Sequence, residues 1–134
     1  MKWTDDLAIG VDKIDEEHKG LIDAVNALFD ACSKGLGRKK IGETLQYLKQ
    51  YVVTHFSDEE AIQREAGYPA YPAHKKMHDA FVTDVLKYEE RFNREGPTIA
   101  LVADFNMFVS NWLIHHISVE DKKIGAWIQS RKQP

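Results

Sequence analysis

The apolar residues of this chain recur at alternating steps of three and four residues in four segments, which glycine and proline residues separate. The second segment shows the pattern in full: Ile41, Leu45, Leu48, Val52, His55, Glu59 and Ile62. Such spacing places one apolar face along an α-helix. We predict a single all-α domain, 1–134, in which an irregular N-terminal arm precedes four helices: arm 1–11, helices 12–34, 38–66, 70–95 and 97–130.

The connections between these segments are short and rich in turn residues: Gly35 and Gly37, Gly67 to Pro69, and Gly96 with Pro97. Short connections favour antiparallel neighbours. We therefore expect an antiparallel up-down-up-down four-helix bundle, for which 134 residues are long enough.

Charge and targeting features narrow the class of protein. The net charge is -3, and acidic and basic residues are interleaved, so we expect no nucleic-acid partner. The first residues lack the pattern of a secretory signal, and no apolar run approaches the ~18 residues of a membrane span. We therefore expect a soluble cytoplasmic protein. Cys32 is the one cysteine of the sequence, so nitrogen and oxygen must supply the ligands of any metal.

Seven histidine and carboxylate residues fall at or beside positions that the helical pattern assigns to the core. They are His18, His55, Glu59, His74, His78, His116 and Asp121. Burial of an unpaired polar or charged group costs several kcal/mol. These seven side chains therefore need a binding partner that offsets the cost of their burial.

The fourth segment loses its phase by one residue between His116 and Ile117. One extra residue within a helix is a π-bulge, which occurs mostly at functional sites. In a regular helix His116 and Asp121 would lie about 140° apart. The bulge is expected to bring Asp121 round toward His116.

A metal centre is the partner that these spacings favour. His55 with Glu59, and His74 with His78, are four residues apart and share a helix face. Seven donors exceed the needs of one tetrahedral zinc ion, so two ions of an imidazole-tolerant metal such as iron are favoured. If both carboxylates bridge and an oxide or hydroxide also bridges, one coordination position stays open for a diatomic ligand. Residue types alone leave iron and manganese as alternatives.

Four motifs in order resemble the bacterial hemerythrin family over nearly the whole chain. They are Ile14-Asp15-x-x-His18, His55-Phe56-x-x-Glu59-Glu60, Gly67-Tyr68-Pro69 followed by His74-x-x-x-His78, and His116-Ile117-x-x-x-Asp121. The resemblance implies two iron ions with a bridging oxide or hydroxide, and Glu59 and Asp121 as bridging ligands. It assigns His74, His78 and His116 to one iron, and His18 and His55 to the iron that binds dioxygen.

The resemblance also concerns residues around the ligands. Phe56, Trp112, Leu113 and Ile117 are candidates to line an apolar oxygen pocket. Gln63 stands where methionine is common, and Ile124 where tyrosine often occurs. These two departures affect the surroundings of the metal and leave the ligands intact.

Three other polar residues near the motifs are expected at the surface. His115 is rotated about 100° from His116, and Asp58 and Glu60 lie off the apolar stripe. We predict that Asp58 and Glu60 are solvated charges and that His115 is a boundary or surface residue.

The predicted function is reversible dioxygen binding, for oxygen storage, transport or delivery, with no catalytic residue. Five neutral histidines and two carboxylates supply less negative charge than the four carboxylates of di-iron bundle enzymes, which favours binding over oxidation. The alternatives are a di-iron oxidase or peroxidase, a nitric oxide-handling enzyme, and an oxygen or redox sensor that acts through a separate partner. We expect a monomer, and the protein that accepts the oxygen is unknown.

Overall fold

The computed structural model describes residues 2–132, and within that range the regular structure is entirely helical. Four long segments form the bundle: α1 (Asp12–Ser33), α2 (Gly37–Glu65), α3 (Tyr71–Glu95) and α4 (Ile99–His115). A π-helical turn, His116–Asp121, continues α4 directly into α5 (Lys122–Lys132). A short 3₁₀ turn, Asp5–Leu7, lies in the N-terminal arm.

Successive helices run antiparallel and each packs against its neighbours around the bundle. Helix α1 contacts α2 and α4, and α3 contacts the same two helices from the other side. The predicted four-helix bundle is therefore confirmed. The fourth helix begins at Ile99 rather than residue 97, because the Thr98 hydroxyl accepts a hydrogen bond from the Leu101 N–H and caps the helix.

The core divides into an apolar part and a polar part along the bundle axis. Apolar side chains from α1, α2, α3 and α4 fill the interior, including Leu28, Ile41, Phe81 and Phe105, which are at most 1% exposed. The polar part lies where α1 and α3 begin and where α2 and α4 end. All seven predicted ligands lie in that part.

The N-terminal arm closes this polar end of the bundle. Ile9 is buried, and its N–H donates to Oδ1 of Asp15 across 2.8 Å. A Cβ atom on Gly125 would collide with the carbonyl oxygen of Ile9. Glycine at that position therefore lets the arm cross α5 in close contact.

The end of α2 is fixed by a glycine turn. Gly67 has a φ of +65°, the Tyr68 N–H donates to the Gln63 carbonyl at 2.9 Å, and the Gly67 N–H donates to the Arg64 carbonyl at 3.2 Å. This is a Schellman motif. The indole Nε1 of Trp127 donates to the Ala66 carbonyl at 2.8 Å and ties α5 to the same turn.

Candidate metal centre

The seven predicted ligand residues converge within the polar end of the core. Helices α1, α2 and α3 and the π-helical turn after α4 each supply at least one of them. All seven are buried, with no more than 3% of any residue exposed. Their atoms form two groups. Glu59 and Asp121 belong to both groups.

The first group contains His74, His78 and His116 together with the two carboxylates. One ligand atom from each of the five residues lies within 4.8 Å of the others. Nε2 of His78 and Nε2 of His116 face each other at 3.1 Å, and Nε2 of His74 lies 2.7 Å from Oε1 of Glu59. Three imidazole nitrogens therefore point at one small volume.

The second group contains His18 and His55 with the same two carboxylates. Nε2 of His18 lies 2.9 Å from Oδ2 of Asp121, and Nε2 of His55 lies 3.3 Å from Oε2 of Glu59. The two oxygens of Glu59 thus face different histidine groups. A bridging carboxylate requires this arrangement.

The π-helical turn places Asp121 in this position. His116 and Asp121 are the first and last residues of the turn, and Nε2 of His116 lies 3.0 Å from Oδ1 of Asp121. The Ser118 hydroxyl donates to the Ile114 carbonyl within the same stretch. The phase slip in the sequence therefore predicted the bulge correctly. Glu120 lies outside both groups, beside the exposed His115.

Two glutamates orient ligand histidines from outside the groups. Nδ1 of His55 donates to Oε1 of Glu17 at 2.9 Å, and Nδ1 of His78 donates to Oε2 of Glu60 at 2.9 Å. Carboxylates in this role fix the ring and increase its basicity as a ligand. In each case the bond leaves Nε2 facing the centre.

The sequence-based prediction that Glu60 is solvated is wrong. Glu60 is only 9% exposed, and its carboxylate turns toward α3 to meet His78. Its position off the apolar stripe of α2 places it at the contact between two helices, where the stripe pattern does not distinguish burial from exposure. Asp58 pairs with Lys13 at 3.5 Å, and the His115 side chain is 69% exposed, as expected.

The charges of the seven groups are interdependent. Burial alone would lower the pKa of His55 and His74, but hydrogen bonds that their rings donate to carboxylates outweigh it and raise the pKa of each to about 9. Burial and the charge of Glu59 would raise the pKa of Asp121, yet His116 and His18 lower it to about 2. Although burial opposes it, hydrogen bonds from histidines hold the pKa of Glu59 well below its ordinary range. Both carboxylates are therefore negatively charged.

The unsatisfied polar atoms match a metal centre. Among the described residues, Nε2 of His18, Oε2 of Glu59 and both carboxylate oxygens of Asp121 are buried without a hydrogen-bond partner. Buried atoms of this kind are normally paired. Imidazole and carboxylate donors suit iron, so the residues present fit two iron ions.

Aromatic side chains cover one side of the centre. The Phe56 ring stacks on the His78 ring with centroids 3.8 Å apart, and the Trp112 ring stacks on His116 at 4.2 Å. Phe81 stacks in turn on Trp112 at 4.0 Å. The structure thus places Phe56 and Trp112 against the group of three histidines, while Leu113 and Ile117 lie in the apolar core with at most 2% exposure.

A helical bundle whose core holds two histidine groups joined by shared carboxylates defines a binuclear metal protein. Comparison with known proteins identifies the family. Residues 9–128 match the hemerythrin HHE cation binding domain. The chain therefore belongs to the hemerythrin family.

Curated relatives and solved structures agree with this assignment. The chain is 37% identical to a bacteriohemerythrin from Stenotrophomonas maltophilia over 97% of its own length and 82% of the relative's. It is 35% identical to a bacteriohemerythrin from Methylococcus capsulatus, covering 97% and 98% of the two chains. A wild-type hemerythrin crystal structure superposes with a TM-score of 0.82 at 34% identity, over 96% of this chain and 97% of that one.

Proposed function

We propose that this chain binds dioxygen reversibly at a non-haem di-iron centre and serves oxygen storage, transport or delivery. One observation carries the proposal: two buried histidine groups share Glu59 and Asp121, whose oxygens face both groups. Membership of the hemerythrin family supports the same function.

The proposed ligand assignment follows the two groups. His74, His78 and His116 would hold one iron, His18 and His55 the other, and Glu59 and Asp121 both. The ion with two histidines has fewer protein ligands than its partner. The open position for dioxygen is therefore assigned to that ion, beside His18 and His55.

When bound, two iron(II) ions with a bridging oxide or hydroxide supply two electrons and one open position for dioxygen. The chain fixes the ligands and excludes water. Glu17 and Glu60 hold the rings of His55 and His78 by hydrogen bonds from outside. Phe56, Trp112, Leu113 and Ile117 are proposed as the apolar wall that limits the entry of water, and the burial of three of them supports this role.

Binding without catalysis is favoured by the charge of the ligand set. Two carboxylates and five imidazoles offer fewer anionic donors than the four carboxylates of di-iron bundle enzymes. Fewer anions stabilise highly oxidised iron less well. The family comparison likewise supports an oxygen-binding protein rather than an enzyme.

The oligomeric state and the cellular location are part of the same proposal. All seven candidate ligands come from one chain, so a monomer is sufficient to build the centre. Among the helices of residues 2–132, none combines the length and the apolar composition that a membrane crossing requires. We propose a cytoplasmic monomer, which light scattering of the iron-loaded protein and fractionation of cells would test.

The assignment is tested by anaerobic titration of the metal-free protein with iron(II). We expect two ions per chain in the wild type and fewer than two in His74→Ala and His18→Ala variants. Lys76→Ala on exposed α3 surface is the matched control and should bind two. A wild type that binds one ion or none would contradict the proposal.

A further inference from the structure

Gln63 is a fully buried amide without a hydrogen-bond partner for its side chain. Its exposed fraction is 0%, and neither Oε1 nor Nε2 has a partner among the described residues. The main-chain carbonyl of Gln63 is already bonded to the Tyr68 N–H. The orphaned groups are therefore those of the side chain alone, and a buried amide in this state is rare.

The position of Gln63 relates it to the metal centre. It follows Glu59 by four residues on α2, so the two side chains share one helix face, with Cβ atoms about 5–6 Å apart. Oε2 of Glu59 is itself buried without a hydrogen-bond partner. An amide that donates two N–H bonds and a carboxylate that only accepts are chemically complementary.

Two of the histidines around Glu59 already have partners for their outer ring nitrogen. The ring Nδ1 atoms of His55 and His78 donate outward to Glu17 and Glu60. The inward Nε2 atoms of these histidines belong to the ligand groups. Gln63 is thus the neutral N–H donor that α2 itself offers one turn beyond the bridging carboxylate.

We propose that Gln63 is a positioning residue whose amide N–H donates to the Glu59 carboxylate in the iron-loaded protein. This inference rests on the proposed di-iron function. The hydrogen bond would hold Glu59 in its bridging orientation. It would also withdraw negative charge from that ligand, which stabilises the reduced centre and raises its reduction potential.

Two variants separate this role from simple packing. Gln63→Met retains the length of the side chain and removes the N–H donor. Gln63→Glu retains the shape and replaces the donor with an oxygen. The matched control is Asn106→Leu on α4, because Oδ1 of Asn106 is also buried and unpartnered but lies ten residues before His116, about 15 Å along the helix.

Three measurements are made on each protein: the unfolding midpoint without metal, the rate of iron(II) transfer to a chelator, and the reduction potential of the loaded centre. In Gln63→Met we expect a metal-free midpoint equal to or above that of the wild type, because an unpaired amide is removed. Iron(II) loss should be roughly 10–100-fold faster, and the potential should fall. Gln63→Glu should lose iron faster still, and Asn106→Leu should leave iron loss and potential unchanged.

An unchanged reduction potential and an unchanged rate of iron(II) loss in Gln63→Met, whatever the shift of the metal-free midpoint, would overturn the inference. If the wild type still binds two iron ions and releases dioxygen reversibly in that case, the proposed function stands and the role of Gln63 alone fails. A wild type that binds no iron would overturn both.

Discussion

The imidazole of His78 on α3 donates from Nδ1 to Oε2 of Glu60 on α2, and the two atoms are 2.9 Å apart. This bond leaves Nε2 of His78 facing Nε2 of His116. It joins two helices and orients one candidate ligand. Glu60 therefore supports the candidate metal centre without belonging to either ligand group.

Glu60→Gln should weaken iron binding, because a neutral amide orients and polarises the His78 ring less strongly than a carboxylate. We expect a loss of roughly 10–100-fold in affinity, measured by competition with a chelator. Glu43→Gln on the exposed surface of α2 is the control. Equal affinities in Glu60→Gln and the wild type would show that the hydrogen bond does not support the ligand.

Removal of iron should destabilise the fold. Metal that binds the folded chain alone stabilises it by about 2.7 kcal/mol at a hundredfold excess over its dissociation constant. Thermal melts followed by circular dichroism, with and without iron(II) in the absence of air, should show a higher midpoint with iron. In Asp121→Asn this iron-dependent shift should be much smaller, and a shift of full size there would exclude Asp121 as a ligand.

The metal-free protein should show a defined pH optimum of stability. The pKa of His55 and His74 is raised from 6.5 to about 9. The contribution of these two residues to the free energy of unfolding is therefore complete below about pH 6.5 and is lost as pH rises through about 9. The pKa of Asp121 is lowered from 3.8 to about 2, so its contribution exists above about pH 4 and is lost as pH falls through about 2. Urea unfolding of the metal-free chain should therefore give a higher free energy at pH 5.5 than at pH 9.5.

A flat profile between those two pH values would contradict the inferred charges of the histidines. His55→Gln offers a check, because it removes one titrating ring and should reduce the difference between the two pH values.

The π-helical turn makes a prediction about chain length. Deletion of Ser118 would place Asp121 four residues after His116, where a regular α-helix keeps both on one face. We expect this variant to retain two iron ions per chain. Deletion of Ser110, within regular α4, should rotate His116 and Asp121 by about 100° relative to the preceding turns and abolish binding of both ions. Loss of iron in both deletion variants would show that the bulge does more than bring Asp121 onto the helix face of His116.

Trp112 should protect the centre from water because its ring covers His116. Trp112→Ala should shorten the lifetime of the oxygen-bound protein and lower the free energy of unfolding by about 3 kcal/mol. The control is Phe108→Ala, one turn before Trp112 on α4. The Phe108 ring stacks on Phe81 and on no candidate ligand histidine. This variant should lower the free energy of unfolding and leave the lifetime of the oxygen-bound protein nearly unchanged. Equal lifetimes in the two variants would assign Trp112 to packing alone.

The sequence predicted the fold and the π-bulge because both depend on periodic patterns within single segments. The candidate ligand residues, which the structure brings together, could also be selected from the sequence, since imidazole and carboxylate at core positions are conspicuous. Glu17 and Glu60 were missed because their partners lie on other helices, and which ring nitrogen points outward depends on helix rotation. The contact of Gly125 with Ile9 likewise depends on where the arm crosses α5.

The most direct test of reversible dioxygen binding is an absorption spectrum of the iron(II)-loaded protein, taken without air, after exposure to oxygen, and after oxygen is removed. A colourless reduced protein should gain visible absorption with oxygen and lose it again, over repeated cycles with both irons retained. A one-way change to an oxidised spectrum, with no recovery after oxygen is removed, would contradict reversible binding.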